Sequence, residues 1–141
     1  MSDLGTAISI TALAFINKVD KGGKPYILHC LHVMHKVKSF GEEVQMIAVM
    51  HDLVEDTTWD IEGLRSEGFS ERVLAGVDTM THRENEPYED YIKRIATNED
   101  ARRVKMADLK HNSDITRMKG LRKKDFDRLE KYHRAYEYLK F

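Results

Sequence analysis

The 141-residue chain is poor in the residues that interrupt or staple a fold, with one cysteine, two prolines and one tryptophan. A lone thiol, Cys30, excludes an internal disulfide framework and fits a reducing compartment. Two prolines and few alternating β-branched runs favour helices nearly throughout. No apolar run approaches the ~20 residues that a membrane span needs. The first residues, "MSDLGTAISITALAFINK", start acidic and lack a basic leader, so they do not read as a signal peptide. Charge of one sign is also missing: 23 Lys and Arg stand against 24 Asp and Glu, a net charge of −1. That balance argues against general binding to nucleic acid or to an anionic membrane. Charged residues make up 33% and apolar ones 41%, a globular composition. The expectation is one soluble, cytoplasmic domain over residues 1–141, with homo-oligomerisation left open.

What is present is helical periodicity broken by two clear loops. Ser2 or Asp3 can cap a first helix whose apolar residues Ile8, Leu13, Ala14 and Ile16 carry it to about Lys18. After the loop "VDKGGKP", Pro25 opens a second helix burying Ile27, Leu28, Leu31, Met34 and Val37. A third runs from about Glu42 through "EEVQMIAVMHDLVED". Asp60 starts a short one, and Ser70 caps another through "ERVLAGVDTM". Beyond the charged loop "THRENEP", Pro87 opens "YEDYIKRIA". Thr97 or Asn98 caps a helix extending through "ARRVKMADLKHNSDITRM". The last, from about Lys123 to Lys140, aligns Phe126, Leu129, Tyr132, Tyr136 and Leu139 on a stripe suited to core or dimer packing. The fold class is therefore all-α, a compact helical bundle.

One stretch resists a purely structural reading. "HDLVEDT" follows the apolar "MIAVM" directly, so His51, Asp52, Glu55 and Asp56 end a segment that belongs in the core. Helical spacing stacks His51 beneath Glu55 and Asp52 beneath Asp56, and carboxylates at a helix C-terminus oppose its dipole. A divalent cation would compensate this arrangement. His29 and Asp108 sit in otherwise apolar helical text and are the natural further ligands; Lys105, Asp108 and Asn112 share one helix face. Two imidazoles and two carboxylates suit Mn²⁺, Fe²⁺ or Zn²⁺ better than oxygen-seeking Mg²⁺ or Ca²⁺. His32 and His35 rotate off the face of His29 without an accompanying carboxylate and do not suggest a second metal. His111 reads as a neighbour of the ligand set, and His82 with Arg83 as a charged loop.

A histidine, a His-Asp pair and a distant aspartate form the pattern of the HD phosphohydrolase superfamily. "GGKPYILHCLHV", "HDLVEDT" and "VKMADLKHN" resemble the hydrolase domain of the RelA/SpoT family and its small stand-alone relatives, over roughly residues 12–115. The resemblance implies an all-helical HD domain that uses one divalent ion, Mn²⁺ first, to remove the 3′-diphosphate from guanosine tetra- and pentaphosphate alarmones of the stringent response. It places His29, His51, Asp52 and Asp108 as metal ligands and Glu55 and Asp56 as the acids that handle the attacking water. Lys21, Lys105 and Asn112 would face the nucleotide. Two positions depart from the pattern. Asp20 stands where the family has a basic residue that packs on guanine, and Cys30 stands where it has proline. The synthetase, regulatory and oligomerising domains of long members have no counterpart in these residues. Alternatives are an HD-type (deoxy)nucleotide or nucleotide-cofactor phosphatase, and a non-catalytic nucleotide-binding module.

Overall fold

The structure, a computed structural model, describes residues 2–140. Their helices are α1 (Leu4–Ala14), α2 (Ile27–Lys36), α3 (Glu42–Val49), α4 (Leu53–Asp56), α5 (Ile61–Ser66), α6 (Glu71–Met80), α7 (Tyr88–Ile95), α8 (Glu99–Asn112) and α9 (Lys123–Leu139). Two 3₁₀ turns, Lys38–Phe40 and Ile115–Arg117, join them, and no strand forms among the described residues. The all-α expectation holds. Side chains of Asp3, Asp60, Ser70 and Asn98 accept from the backbone N–H groups of Thr6, Gly63, Val73 and Ala101, satisfying donors that each helix start leaves open. No described helix is long and apolar enough to cross a membrane.

The core is organised around α3. Met46, Ile47, Ala48, Val49 and Met50 are all buried, packed by α1, α2, α6 and α8. Helices α3 and α6 approach so closely that a Cβ on Gly76 would lie 2.3 Å from Cδ1 of Ile47. Ile47 itself is fully buried, so the side chain that fills this contact has nowhere to move.

Several sequence expectations fail in instructive ways. α1 stops at Ala14, and Asn17 takes a positive φ of 68° that reverses the chain. Phe15 turns into the core instead, leaving Leu13 and Ile16 exposed. Leu28 and Phe126 are exposed too. The third helix is not continuous. It breaks at Met50–Asp52, where the N–H groups of His51 and Leu53 donate to Ala48 and Met50 in tighter i→i−3 bonds. The helix expected to run on to Met118 ends at Asn112, because the Asp114 carboxylate captures the Thr116 N–H and starts a new turn.

Candidate metal centre and adjoining cavity

The break after α3 is what makes the site. A straight helix would have stacked His51 under Glu55; the tight turn instead aims both His51 and Asp52 inward. There they meet His29 of α2 and Asp108 of α8, and one donor atom from each of the four lies within 4.8 Å of the others. His29 Nε2 is 2.9 Å and His51 Nε2 3.2 Å from the same oxygen, Oδ1 of Asp108. His51 Nε2 is 3.1 Å from Asp52 Oδ2. His29, His51 and Asp108 are buried. Among the described residues this is the one cluster of metal-ligating side chains.

Its donor chemistry fits a divalent cation. The Nδ1–H of His51 donates to the Ala48 carbonyl at 2.6 Å, fixing the tautomer whose Nε2 lone pair points at the cluster. His29 has a partner that would hold it in the same sense with an ion bound. Its Nδ1 lies 2.7 Å from Nδ1 of His111, and the rings are nearly coplanar, at 8°. For Nε2 of His29 to present a lone pair, its Nδ1 must donate and His111 must accept. Burial, helped by the Arg117 charge, pushes the His111 pKa down to about 4, which keeps it a neutral acceptor. The carboxylates of the cluster also favour a proton on His51. Burial opposes a charged His51, but the Asp52 and Asp108 carboxylates outweigh it and hold its pKa well above the ordinary value. Burial likewise opposes the Asp108 carboxylate, yet Lys105 and His51 keep it ionised well below its usual range.

Lys105 and Asn112, expected to face a nucleotide, both reach Asp108: Lys105 Nζ is 3.0 Å from Oδ2, and Asn112 Nδ2 donates to Oδ1 at 3.0 Å. Asn112 also lines the neighbouring cavity; Lys105 is enclosed over the Tyr91 ring. Glu55 and Asp56 lie at the exposed edge of α4, turned to different sides. Glu55 accepts from the backbone N–H of His82 at 2.7 Å, and Asp56 pairs with Lys18 at 3.3 Å. Burial and the neighbouring Asp52 charge raise the pKa of both acids. Arg83 is used on the end of α6, on the Asp78 carbonyl and carboxylate, and on the Thr81 carbonyl.

A cavity of about 300 Å³ opens beside the cluster. Lys18, Lys21, Tyr26, Asn112, Arg128 and Tyr132 are among its walls. Four of these, Lys18, Tyr26, Arg128 and Tyr132, are residues for which sequence reasoning found no functional signal. The Tyr26 hydroxyl donates to Asp52 Oδ2; it was visible as the tyrosine after Pro25 but had no partner in view. Lys18 covers the Tyr26 ring at 4.4 Å. Tyr132, read as core or dimer surface, half-packs on the core and presents the rest to the cavity. Asp20 does not intrude as a free acid. Its Oδ1 accepts from Gly22 and Lys24 N–H, each at 2.9 Å, and its Oδ2 pairs with Arg117 at 3.1 Å. Arg117 donates in turn to the His111 carbonyl and to Asn112 Oδ1. A Cβ on Gly22 would lie 2.2 Å from the Arg117 carbonyl oxygen, so the loop can seat on this turn only with glycine there. Cys30 is fully buried in the core behind His29, and burial pushes its thiol up to about 12.

No family model matches the chain. Among curated proteins it is similar to the guanosine-3′,5′-bis(diphosphate) 3′-pyrophosphohydrolase of Aquifex aeolicus (strain VF5), at 39% identity over 90 residues. That match covers 58% of this chain and 13% of the relative, so the chain spans only a small part of the relative's length. In three dimensions it superposes on the solved structure of a metazoan ortholog of SpoT that hydrolyzes ppGpp and plays a role in starvation responses. The TM-score is 0.80 at 20% sequence identity, over 99% of this chain and 85% of the other. At that identity the likeness shows a shared helical fold.

Proposed function

We propose that this chain is a metal-dependent phosphohydrolase of a guanosine 3′,5′-bis(diphosphate)-type nucleotide, cleaving at the 3′-phosphate to release diphosphate. The observation that carries it is the convergence of His29, His51, Asp52 and Asp108 on one point, their donor atoms within 4.8 Å, beside a cavity walled by Lys18, Lys21 and Arg128. The relatives' activity on the same nucleotide, in a protein 39% identical over 90 residues and in one of the same fold, supports the substrate class.

The four residues would hold the ion, Mn²⁺ by preference for mixed nitrogen and oxygen donors. Once bound, it supplies Lewis-acid polarisation of a phosphoryl oxygen and a water acidified toward neutral pH. The chain's own groups do the rest. Glu55 or Asp56 takes the proton from the attacking water; their raised pKa values make them stronger bases than an ordinary carboxylate. The water oxygen bonds to phosphorus as the bond to the 3′-oxygen breaks, and that oxygen regains a proton. Tyr26 fixes the Asp52 carboxylate, and Lys105 holds Asp108 while adding positive charge beside the phosphoryl group. Asn112 and Lys21 lie where the cavity would receive sugar and phosphate. The raised acids also count against a non-catalytic nucleotide sensor, which needs no base.

The test is to incubate Mn²⁺-loaded protein with guanosine 3′,5′-bis(diphosphate) and identify the products by chromatography. Guanosine 5′-diphosphate with diphosphate is expected; unchanged substrate would refute the assignment. One observation favours a second reading. The loop position at Asp20 is occupied by an acid committed to Arg117, so the nucleobase wall is built differently from the family pattern. If a nucleotide-cofactor or deoxynucleotide is hydrolysed faster in the same assay, the metal chemistry stands and the substrate changes.

A further inference from the structure

A second cleft, with a volume of about 710 Å³, lies between α2 with its following turn and α8 with α9. It shares one wall residue, Asp114, with the cavity beside the metal cluster and is otherwise lined by different side chains. At about 100° per residue, Lys110 falls on the side of α8 opposite Asp108. Val37, Met106 and Ala107 give the cleft apolar walls, and its charge is one-sided. Lys36, Arg102, Arg103 and Lys110 line it, against one acid, Asp114, whose carboxylate already accepts from the N–H and hydroxyl of Thr116. Of the four cations only Arg103 has a carboxylate partner among the described residues, Glu99 at 2.7 Å. Arg102 leans on the Leu139 carbonyl, and Lys36 and Lys110 are exposed.

A chain of net charge −1 has no general need to gather cations, and gathering them without acids is unfavourable unless an anion joins them. The cleft also holds a flat apolar surface. Phe40 is 42% exposed, and the Arg103 guanidinium lies 4.1 Å from its ring centroid. An aromatic ring with a guanidinium beside it stacks planar heterocycles, while clustered lysines and arginines hold phosphate oxygens. At the inner end stand His32 and His111, stacked at 3.7 Å, and His111 bonds to His29. An occupant that reaches His111 is therefore one hydrogen bond away from a residue of the metal cluster.

We propose that this cleft is a second ligand site for a nucleoside polyphosphate, its phosphates on Lys36, Lys110 and Arg102 and its base against Phe40 and Arg103. A compact polyanion suits it better than a nucleic acid, because the balanced overall charge leaves no extended basic track for a polymer.

The site is tested by calorimetric titration of the metal-free full chain, where no turnover intervenes, so the outcome does not depend on the proposed reaction. Guanosine 5′-triphosphate and inorganic triphosphate are the probes, at low salt. Both should bind saturably. K36E/K110E should weaken both at least tenfold, Phe40→Ala should weaken the nucleotide but not triphosphate, and Lys93→Glu, at an exposed lysine that lines neither cavity, should change neither. Because the substituted lysines are exposed, the double variant is expected to fold, which its circular dichroism checks. The proposal is overturned if the native chain binds neither probe at millimolar concentration, or if K36E/K110E binds as the native chain does. It is equally overturned if a single-stranded oligonucleotide binds this cleft more tightly than the nucleotide.

Discussion

Asp20 and Arg117 stand 97 residues apart in sequence and 3.1 Å apart in space. Their ion pair ties the glycine loop before α2 to the turn after α8, the two segments that flank the cavity beside the metal cluster. Both side chains are largely shielded, at 13% and 21% exposure, so the pair is screened less than a surface bridge. Asp20 looks in sequence like a loss of a basic contact; in the fold it is a clamp. Replacing it with alanine frees Arg117 and releases two loop N–H groups. The expected result for D20A is a KM raised about tenfold with kcat changed by less than about threefold, since loop position governs binding rather than the metal. Steady-state kinetics on the hydrolysed nucleotide check this; a fall in kcat with KM unchanged would contradict it.

Metal loading should stabilise the chain strongly. The ion would take the place of the proton that balances Asp52 and Asp108, at a site assembled only when α2, α3 and α8 come together. At a free concentration of one hundred times Kd the gain is about 2.7 kcal/mol. Native protein stripped with a chelator should therefore melt lower and recover on adding Mn²⁺, whereas Asp52→Asn should show little recovery. Asp52 is the better position to change than Asp108. Loss of the Asp108 carboxylate would strand Lys105 and His51 in the interior and risk the fold itself, at about 3–5 kcal/mol. Thermal melts with and without Mn²⁺ decide the matter; equal recovery in D52N would remove Asp52 from the ligand set.

Much of this was legible in the sequence because local rules carry it. Asp60, Ser70 and Asn98 each cap the helix they announce, and the three short motifs name the residues that converge. The break between Val49 and Leu53 was not legible. No glycine or proline marks it, and the turn is stabilised by partners from other segments, such as His29 and Asp108 around His51 and Tyr26 on Asp52. Lys18 on Asp56, Arg117 on Asp20 and His111 on His29 are likewise long-range pairs that no spacing rule anticipates. The exposed Leu13, Ile16, Leu28 and Phe126 show the opposite limit: an apolar residue at a plausible period is buried only where a neighbouring element arrives to cover it.

Glu55 and Asp56 are separable by conservative substitution. Both have raised pKa values, but Asp56 is paired with Lys18 while Glu55 is held by one backbone N–H. The base should lose about 10²- to 10⁴-fold in kcat as its amide, and the other position should lose far less. Glu55→Gln is expected to show the larger loss, with Mn²⁺ affinity unchanged because neither acid belongs to the cluster. Rates for E55Q and D56N, measured beside their metal titrations, check this; equal rates in E55Q and native protein would clear Glu55 of the role.

Away from the site, Glu86 supplies a pH-dependent brace for the loop that carries His82. Arg94 grips it through two bonds of 2.9 Å, Nε to Oε2 and Nη2 to Oε1, and these hold its pKa down at about 2, against an ordinary 4.5. A carboxylate whose pKa is depressed on folding stabilises the protein above its unfolded value. That contribution is lost as pH falls through the folded value. The stabilisation is therefore complete above about pH 5 and disappears between pH 4.5 and 2. Glu86→Gln should lower the melting temperature at pH 7 and flatten its decline across that acidic interval. Because the same loop places the His82 N–H on Glu55, E86Q should also slow turnover at neutral pH. Melting curves from pH 7 to pH 2 for both proteins provide the measurement, and parallel curves would show that the Arg94 pair contributes nothing to the acid sensitivity.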